Sequence, residues 1–338
     1  MIKDNRADGE RVEQLIVLTG ELVRQRLLTA PSAIAGICGH LAASQGKGIR
    51  TAVLIGCASD ETGSAPYSSA KAAAAVELLH MASLVHDDII DDAPTRRGLP
   101  SVQSRFGKKQ AVITGDWLLC AAMKMAVSID ELSRADKKLL PEFAAALEQL
   151  CLGELTQGAE NGNADLSVSR YLRIIAQKTS SLFGLSAIAG AVLADCREDE
   201  RRLLARYARI LGVIFQIVDD VKDYMMDESD TLKSVRTDLS SGVVTLPLIL
   251  SLAREPSLKR AALEVMRGES DGGQVMELVR EAGIPEACGR AYRYADKAAA
   301  LLERLENGEK REFLSLLLER ALEPLNKIQT LSKMEAVL

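Results

Sequence analysis

Apolar residues recur at helical spacing along almost the whole of this 338-residue chain, and we find neither the strict alternation of a half-buried strand nor an internal repeat. Alanine and leucine abound while aromatic residues make up only 4%, a composition that favours helices over sheets. The sequence therefore predicts an all-α fold. We expect a single domain over residues 1–338, a bundle of long helices around a central cavity, with residues 1–9 as a flexible N-terminal tail.

Turn-forming residues divide the chain into predicted helices. A turn cluster occupies residues 59–66, Pro94 and Gly98 end a long apolar helix, and residues 161–163 (Asn-Gly-Asn) end another. A polar segment follows at 226–244. The predicted helices span 10–28, 31–44, 50–58, 67–91, 108–130, 136–160, 168–194, 198–225, 245–253, 257–267, 272–282, 284–307 and 309–334.

Charge and cysteine content exclude several classes of function. A net charge of −5 argues against a nucleic-acid surface, so no nucleic-acid partner is expected. The six cysteines form no CxxC pair, and we expect them to be small buried hydrophobes in a reducing compartment. The N-terminal segment is too polar for a signal peptide, and no uninterrupted run of about 18 apolar residues marks a membrane span. These features predict a cytoplasmic protein.

Two clusters of aspartates interrupt the apolar pattern, each at the end of a long apolar helix. Asp87 and Asp91 are four residues apart, and Asp219 and Asp223 repeat that spacing around Asp220. Residues at this spacing share a helix face, where like charges repel. Mg²⁺ relieves such repulsion, because it takes oxygen ligands and shares phosphate oxygens with one or two carboxylates. Either each cluster is a solvated helix end, or both face one cavity and hold metals and a polyphosphate; their repetition favours the second interpretation.

The residues around these clusters resemble the two aspartate-rich motifs of the trans-isoprenyl diphosphate synthases. Residues 84–98 (Leu-Val-His-Asp-Asp-Ile-Ile-Asp-Asp-Ala-Pro-Thr-Arg-Arg-Gly) are similar to the first motif, and residues 215–224 (Phe-Gln-Ile-Val-Asp-Asp-Val-Lys-Asp-Tyr) to the second. The segments 80–93 and 151–157 are most similar to catalytic subunits of bacterial heptaprenyl-type long-chain synthases. Further elements in family order are 46–50 (Gly-Lys-Gly-Ile-Arg), 153–157 (Gly-Glu-Leu-Thr-Gln), 178–179 (Lys-Thr) and 238–247 (Asp-Leu-Ser-Ser-Gly-Val-Val-Thr-Leu-Pro).

The resemblance implies the isoprenoid synthase fold and a prenyltransferase that joins isopentenyl diphosphate to an allylic diphosphate, such as farnesyl or geranylgeranyl diphosphate. It also implies Mg²⁺ as cofactor, about three ions per site with Mn²⁺ as a substitute. The allylic diphosphate ionises, the double bond of isopentenyl diphosphate attacks the cation, and the released diphosphate takes the proton. The implied catalytic residues are Asp87, Asp91, Lys178 and Asp219. The implied metal ligands are Asp87, Asp91 and Asp219, supported by Asp220 and Asp223. The implied ligands of the allylic diphosphate are Arg96, Lys178, Thr179, Gln216 and Lys233, and those of isopentenyl diphosphate are Lys47, Arg50, His80 and Arg97.

Several positions depart from the family pattern. Lys222 stands inside the second motif where an apolar residue is usual, and it either neutralises one aspartate or extends to solvent. The stretch 232–234 lacks the usual Gly before Lys233 and the usual Pro after it. Val243 stands where many members carry Lys, and Thr51 replaces a common Pro. All the metal carboxylates remain in place.

Helix geometry suggests the length of the product. The growing tail should run from the diphosphate along the helix that carries Asp87. Ala82 and Ser83, one turn upstream, are small, and Leu79 belongs to the turn before them. One turn rises about 5.4 Å, close to one isoprene unit, so we expect a product of about C30 to C40, with about C35 the best single value. Alternatively, the floor of the pocket comes from other helices.

The leading hypothesis is a long-chain polyprenyl diphosphate synthase whose product forms a quinone side chain or another polyprenoid. By resemblance it is a homodimer or a heteromer with a small non-catalytic subunit. One alternative is a catalytically weak or partner-dependent subunit, suggested by Lys222 and the altered 232–234 stretch. Another is a terpene cyclase, a class that usually replaces the second aspartate motif with an Asn/Ser/Glu triad. A metal-storage bundle would need two Glu-x-x-His motifs, and the sequence contains only the one at residues 77–80.

Overall fold

The computed structural model describes residues 10–43, 46, 48–132, 138–225, 239, 241–270 and 272–335. These residues are mostly helical, which confirms the all-α prediction. The predicted tail at 1–9 lies outside them. The helices are α1 (Val12–Leu28), α2 (Ala35–Ala42), α3 (Ile49–Ala58), α4 (Tyr67–Ile90), α5 (Val102–Phe106), α6 (Lys108–Leu132), α7 (Leu140–Glu160), α8 (Val168–Lys178), α9 (Ser180–Leu193), α10 (Glu198–Met225), α11 (Leu246–Arg254), α12 (Lys259–Met266), α13 (Gly273–Leu278), α14 (Ile284–Leu302) and α15 (Gly308–Glu335).

Two short antiparallel strand pairs were not expected from the sequence. Strand β1 (Glu10–Arg11) pairs with β2 (Ser64–Ala65), and β3 (Thr95–Arg96) pairs with β4 (Leu99–Pro100). Each strand has only two residues, which is too short to show the alternation by which strands are recognised. The prediction that no strand is present was therefore wrong at these two places.

Several other boundaries also differ from the prediction; the helix predicted over 284–307, for example, ends at Leu302. The helix predicted over 168–194 is divided at Thr179, whose hydroxyl donates a hydrogen bond to Gln216. Helix α2 begins only at Ala35, because residues 31–34 form a turn in which the Pro31 carbonyl accepts from Ile34. Helix α5 was not predicted; the Ser101 hydroxyl caps it by accepting from the Ser104 N–H.

The described chain divides into two compact units, each built from three separate segments. Unit 1 comprises Met1–Ala146, Leu182–Ala208 and Leu305–Leu314, and unit 2 comprises Leu147–Ser181, Arg209–Arg304 and Ser315–Leu338. The prediction of a single domain over 1–338 stays a prediction.

Unit 1 is organised around α4. This helix packs against α1, α3 and α6, and its alanines at positions 70 and 72–75 have no exposed surface. A helix that is apolar around its whole circumference belongs inside a core, and small side chains let its neighbours approach closely. Glycines allow similar approaches elsewhere in unit 1; a Cβ on Gly190 would lie 2.1 Å from the Leu54 carbonyl oxygen. This packing fixes the direction of the helix that ends in Asp87 and Asp91.

In unit 2, α11 packs against α8, α14 and the π-helical turn Val279–Gly283. A Cβ on Gly283 would lie 2.2 Å from the Pro247 carbonyl oxygen, so the glycine permits this close packing.

The cysteine prediction is only partly correct. Cys38, Cys57, Cys196 and Cys288 are buried and free, as expected of small hydrophobes, but two others are exposed. The exposed ones are Cys120 on α6 and Cys151 on α7.

Among the described residues, one helix is long and apolar enough to cross a membrane by length and composition alone. It is the Lys108–Ile129 part of α6, and 39% of its most apolar window is buried. Asp116 and Lys124 interrupt its apolar sequence, so no uninterrupted apolar run is present there. The helix packs along α4, as a core helix of a folded protein also does.

Candidate active site

The first aspartate cluster lies at the C-terminal end of α4. Asp87 is partly exposed in its last turn, and Asp91 is the exposed residue that follows the helix. The last carbonyl groups of a helix carry partial negative charge, so carboxylates at this end favour a bound cation. Asp88 is only 2% exposed and accepts from Arg96 Nε at 2.6 Å. The structure therefore places the two predicted metal ligands at the helix end and directs Asp88 to Arg96.

A cavity beside this helix end contains three of the predicted substrate ligands. His80, Arg96 and Arg97 line it, together with residues of α2, α4 and the segment after β4. Arg50 on α3 is 9% exposed, and its guanidinium lies 4.9 Å from the centroid of the Phe183 ring. Burial lowers the pKa of Arg50 to about 10, so it stays charged at neutral pH.

His80 is neutral in this cavity. Burial and the three nearby guanidinium groups of Arg50, Arg97 and Arg96 hold its pKa well below its ordinary value. At neutral pH the imidazole can therefore contribute a hydrogen bond to a phosphate oxygen, but no positive charge.

A tight hairpin turn sets the position of Arg97. Arg97 and Gly98 connect β3 to β4 with φ angles of 50° and 78°, the left-handed pair typical of a two-residue hairpin turn. A Cβ at Gly46 would lie 2.7 Å from Nη2 of Arg97. The glycine that opens the 46–50 element thus leaves the space that the guanidinium occupies.

Glu77 also belongs to the cavity and was missed by sequence reasoning. It lines the cavity one turn before His80, and its Oε1 accepts from the Thr51 hydroxyl at 2.9 Å. Its charge favours the protonated forms of both Arg50 and Arg97. A signal for it existed in the sequence, since positions 77 and 80 share a helix face.

The second cluster lies on α10, where Asp220 is only 2% exposed. Its Oδ2 accepts from the Tyr171 hydroxyl at 2.5 Å and its Oδ1 from Gln216 Nε2 at 2.8 Å. Gln216 Oε1 in turn accepts from the Thr179 hydroxyl at 2.7 Å. Two predicted ligands of the allylic diphosphate are thus joined in one network that Asp220 anchors. Metal ligation by Asp220 stays a prediction.

Asp219 and Asp223 are the exposed aspartates of this cluster. Asp219 Oδ1 lies 3.6 Å from Nζ of Lys222. Of the two alternatives left open by the sequence, the structure therefore shows Lys222 paired with an aspartate.

Lys178 ends α8 and lies against α7. Its Nζ is 2.5 Å from Oε2 of Glu154, so a carboxylate balances its charge. A Cβ on Gly153 would lie 2.4 Å from the Lys178 backbone nitrogen. Glycine at 153 thus allows the contact between the two helices that positions the lysine.

Each pair of carboxylates, taken by itself, fits a magnesium site of the kind that phosphate substrates complete. Within the described ranges, no three His, Cys, Asp or Glu side chains come close enough to form a metal site by themselves. Mg²⁺ commonly takes one or two protein carboxylates, and phosphate oxygens and water supply the rest. The pairs Asp87–Asp91 and Asp219–Asp223 offer that number of hard oxygen ligands.

The predicted chain-length residues are buried in α4. Leu79 and Ala82 have no exposed surface and Ser83 is 8% exposed. None of the three lines the cavity described above, to which α4 contributes Glu77, His80 and other residues. Their role stays a prediction.

Two predicted ligands, Lys47 and Lys233, lie outside the described residues.

The polyprenyl synthetase family profile matches residues 31–282. The octaprenyl diphosphate synthase of Escherichia coli (strain K12) is 32% identical over 286 residues, which cover 81% of this chain and 85% of that protein. Heptaprenyl diphosphate synthase component 2 of Bacillus subtilis (strain 168) is 32% identical over 249 residues, covering 72% and 70%.

A solved structure is also similar to this chain. The crystal structure of heptaprenyl diphosphate synthase from Staphylococcus aureus matches with a TM-score of 0.85 and 26% identity, covering 93% of this chain and 98% of that one.

Proposed function

Because the chain belongs to the polyprenyl synthetase family and is a prenyltransferase, we propose that it is a medium- to long-chain polyprenyl diphosphate synthase. It would condense isopentenyl diphosphate with an allylic diphosphate such as farnesyl or geranylgeranyl diphosphate. The observation that carries this proposal is the placement of Arg96, Arg97 and neutral His80 around one cavity, beside the helix end that carries Asp87 and Asp91.

In this proposal the cavity binds isopentenyl diphosphate. Arg97 in its lining and Arg50 nearby supply charge that complements phosphate oxygens, and Arg presents a planar fork of donors suited to them. His80 adds a neutral hydrogen bond, while Glu77 limits the repulsion between the two guanidinium groups. The substrate is therefore recognised mainly through its diphosphate.

The allylic diphosphate would be held by Arg96, Lys178, Thr179 and Gln216, with Lys233 as a further predicted ligand. Glu154 balances the charge of Lys178 until substrate arrives. When bound, Mg²⁺ supplies positive charge that stabilises the leaving diphosphate as the carbon–oxygen bond ionises. The apolar helix faces offer no nucleophile, which protects the allylic cation until the double bond attacks.

Metal-dependent diphosphate release tests this proposal. The full chain is incubated with Mg²⁺, isopentenyl diphosphate and farnesyl diphosphate, and Asp87→Asn and Asp219→Asn are assayed beside it. We expect release by the wild type and a loss of at least about a hundredfold in each variant, the scale on which removing an electrostatic stabiliser lowers kcat. Release that is unaffected by both substitutions would contradict the assignment.

A partner-dependent subunit is the second candidate, because one relative is named as component 2 of a heptaprenyl synthase. In that case the wild type alone releases no diphosphate, and adding a small non-catalytic subunit restores release. A homodimer and a heteromer are both compatible with the primary proposal.

Further parts of the proposal rest on the sequence alone. They are a cytoplasmic location, about three Mg²⁺ ions per site with Mn²⁺ as a substitute, and use of the product as a quinone side chain. A terpene cyclase is disfavoured because the second aspartate motif keeps Asp219, Asp220 and Asp223.

A further inference from the structure

Lys222 places a positive charge inside the second aspartate motif. It lies three residues after Asp219 on α10, a spacing that makes the two side chains surface neighbours. Its Nζ is 3.6 Å from Asp219 Oδ1, and the two side chains are 36% and 54% exposed. The ammonium therefore lies next to a carboxylate oxygen that the metal would use.

The surroundings of the other aspartates in the motif make Oδ1 of Asp219 important for metal binding. Asp220 is buried, and both of its oxygens already accept hydrogen bonds from Tyr171 and Gln216. The exposed carboxylates of the motif are those of Asp219 and Asp223. An ammonium that engages Asp219 thus occupies one of the two carboxylates most accessible to a cation from solvent.

We propose that Lys222 competes with the divalent cation for the carboxylate of Asp219, an inference that rests on the proposed function. The ammonium and the metal are attracted to the same carboxylate. A metal ion must break the existing ion pair and then tolerate a unit positive charge nearby. The chain therefore needs a higher free Mg²⁺ concentration to load Asp219 than it would with an apolar residue at position 222.

The size of the effect follows from the exposure of the pair. An exposed ion pair is weak, and solvent also reduces the repulsion between the ammonium and the metal. Together the two contributions should lower metal affinity on the order of fivefold. Because both are electrostatic, the difference should shrink as ionic strength rises.

The affinity for metal can be measured without catalysis by titrating the full-length protein with Mn²⁺ and monitoring the electron paramagnetic resonance signal of the free ion. Lys222→Met removes the charge while keeping an unbranched side chain, and Lys222→Arg keeps the charge. Lys327→Met is the matched control, since it breaks a surface ion pair with Glu323 elsewhere. We expect about fivefold tighter binding in Lys222→Met, and affinities within about twofold of the wild type in Lys222→Arg and Lys327→Met.

The same titration in an Asp219→Asn background shows whether Lys222 lowers metal affinity through Asp219. If Lys222 acts through Asp219, Lys222→Met changes the affinity little once Asp219 has lost its charge. An equal gain in both backgrounds, or no gain in either, would overturn the proposal. Failure of the proposed function would appear separately, as no diphosphate release by the wild type with or without a partner subunit, whatever the Mn²⁺ titrations show.

Discussion

His80 links the chemistry of the cavity to the stability of the protein. The unfolded chain protonates this residue near its ordinary pKa of about 6.5, while the folded chain holds the pKa well below that value. The folded state is therefore penalised as pH falls from about 6.5 toward the folded pKa, and no penalty exists above that window. From about pH 7.5 to about pH 5.5, urea unfolding should show the wild type losing about 1 kcal/mol more stability than His80→Gln. Equal losses would contradict a pKa of His80 held well below its ordinary value.

Substitution of Tyr171 tests the hydrogen-bond network in which Asp220 holds Gln216. Tyr171→Phe leaves Oδ2 of the buried Asp220 without its hydroxyl donor, and hydrogen bonds to charged groups are among the stronger ones. We expect a loss of about 2 kcal/mol in the free energy of unfolding. Tyr292→Phe removes a hydroxyl that donates to Asn326 at an exposed site and should cost less than about 1 kcal/mol. Similar losses in the two variants would show that the hydrogen bond from Tyr171 to Asp220 contributes no more to stability than the exposed one from Tyr292.

At this scale the sequence motifs singled out Asp87 and Asp91, which lie at the end of α4, and Arg97, which lines the cavity beside it; their roles stay predictions. They did not reveal the Thr51–Glu77 hydrogen bond, whose partners are 26 residues apart, or the one from Tyr171 to Asp220, whose partners are 49 apart. Such pairs form only when particular helices pack together. Helical periodicity specifies which face of a helix is buried, but not which residue of another helix it meets.

At the scale of elements, two glycines of α7 offer a matched comparison. A Cβ at Gly153 would lie 2.4 Å from the backbone nitrogen of Lys178, whereas nothing lies within 4 Å of a Cβ at Gly158. Alanine is the better helix former, so Gly158→Ala should raise stability by about 0.5–1 kcal/mol. Gly153→Ala should lower it by about 1–3 kcal/mol, because α8 must move away. Thermal unfolding of the two variants measures the difference, and a gain in both would disprove the close contact.

Most helices were predictable because apolar periodicity and turn residues mark them directly. The break at Thr179 was not, since the residues on either side continue the helical pattern and the interruption coincides with a hydrogen bond to Gln216 on another helix. The β3–β4 hairpin was also missed. Its signal is brief: only Arg97 and Gly98 adopt the left-handed conformation that turns the chain.

For the whole molecule, product length should respond to the size of residue 82. Ala82 is fully buried one turn before Asp87, and a phenylalanine there would fill space that the growing chain is proposed to use. Ala82→Phe should shorten the main product by at least about one isoprene unit, about one helical turn. Met81→Phe is the comparison on the same helix: Met81 lines the cavity proposed for isopentenyl diphosphate, so this change should lower turnover without shortening the product. An unchanged product in Ala82→Phe would place the floor on other helices.

The all-α class followed from composition and periodicity, while product length rests on a local argument about α4. The depth of a binding pocket depends on every helix that borders it, and the sequence does not state which ones do. Sequence could therefore establish the family chemistry more firmly than the size of the product.

Chromatography of the polyprenyl product after removal of its diphosphate tests the central claim most directly. The full chain is incubated with Mg²⁺, farnesyl diphosphate and an excess of isopentenyl diphosphate, with and without a small non-catalytic subunit. We predict a main product of about C30 to C40, centred near C35, from the helical spacing of small residues before Asp87. A main product that stops at about C15 to C20, or no product under either condition, would contradict a medium- to long-chain polyprenyl diphosphate synthase.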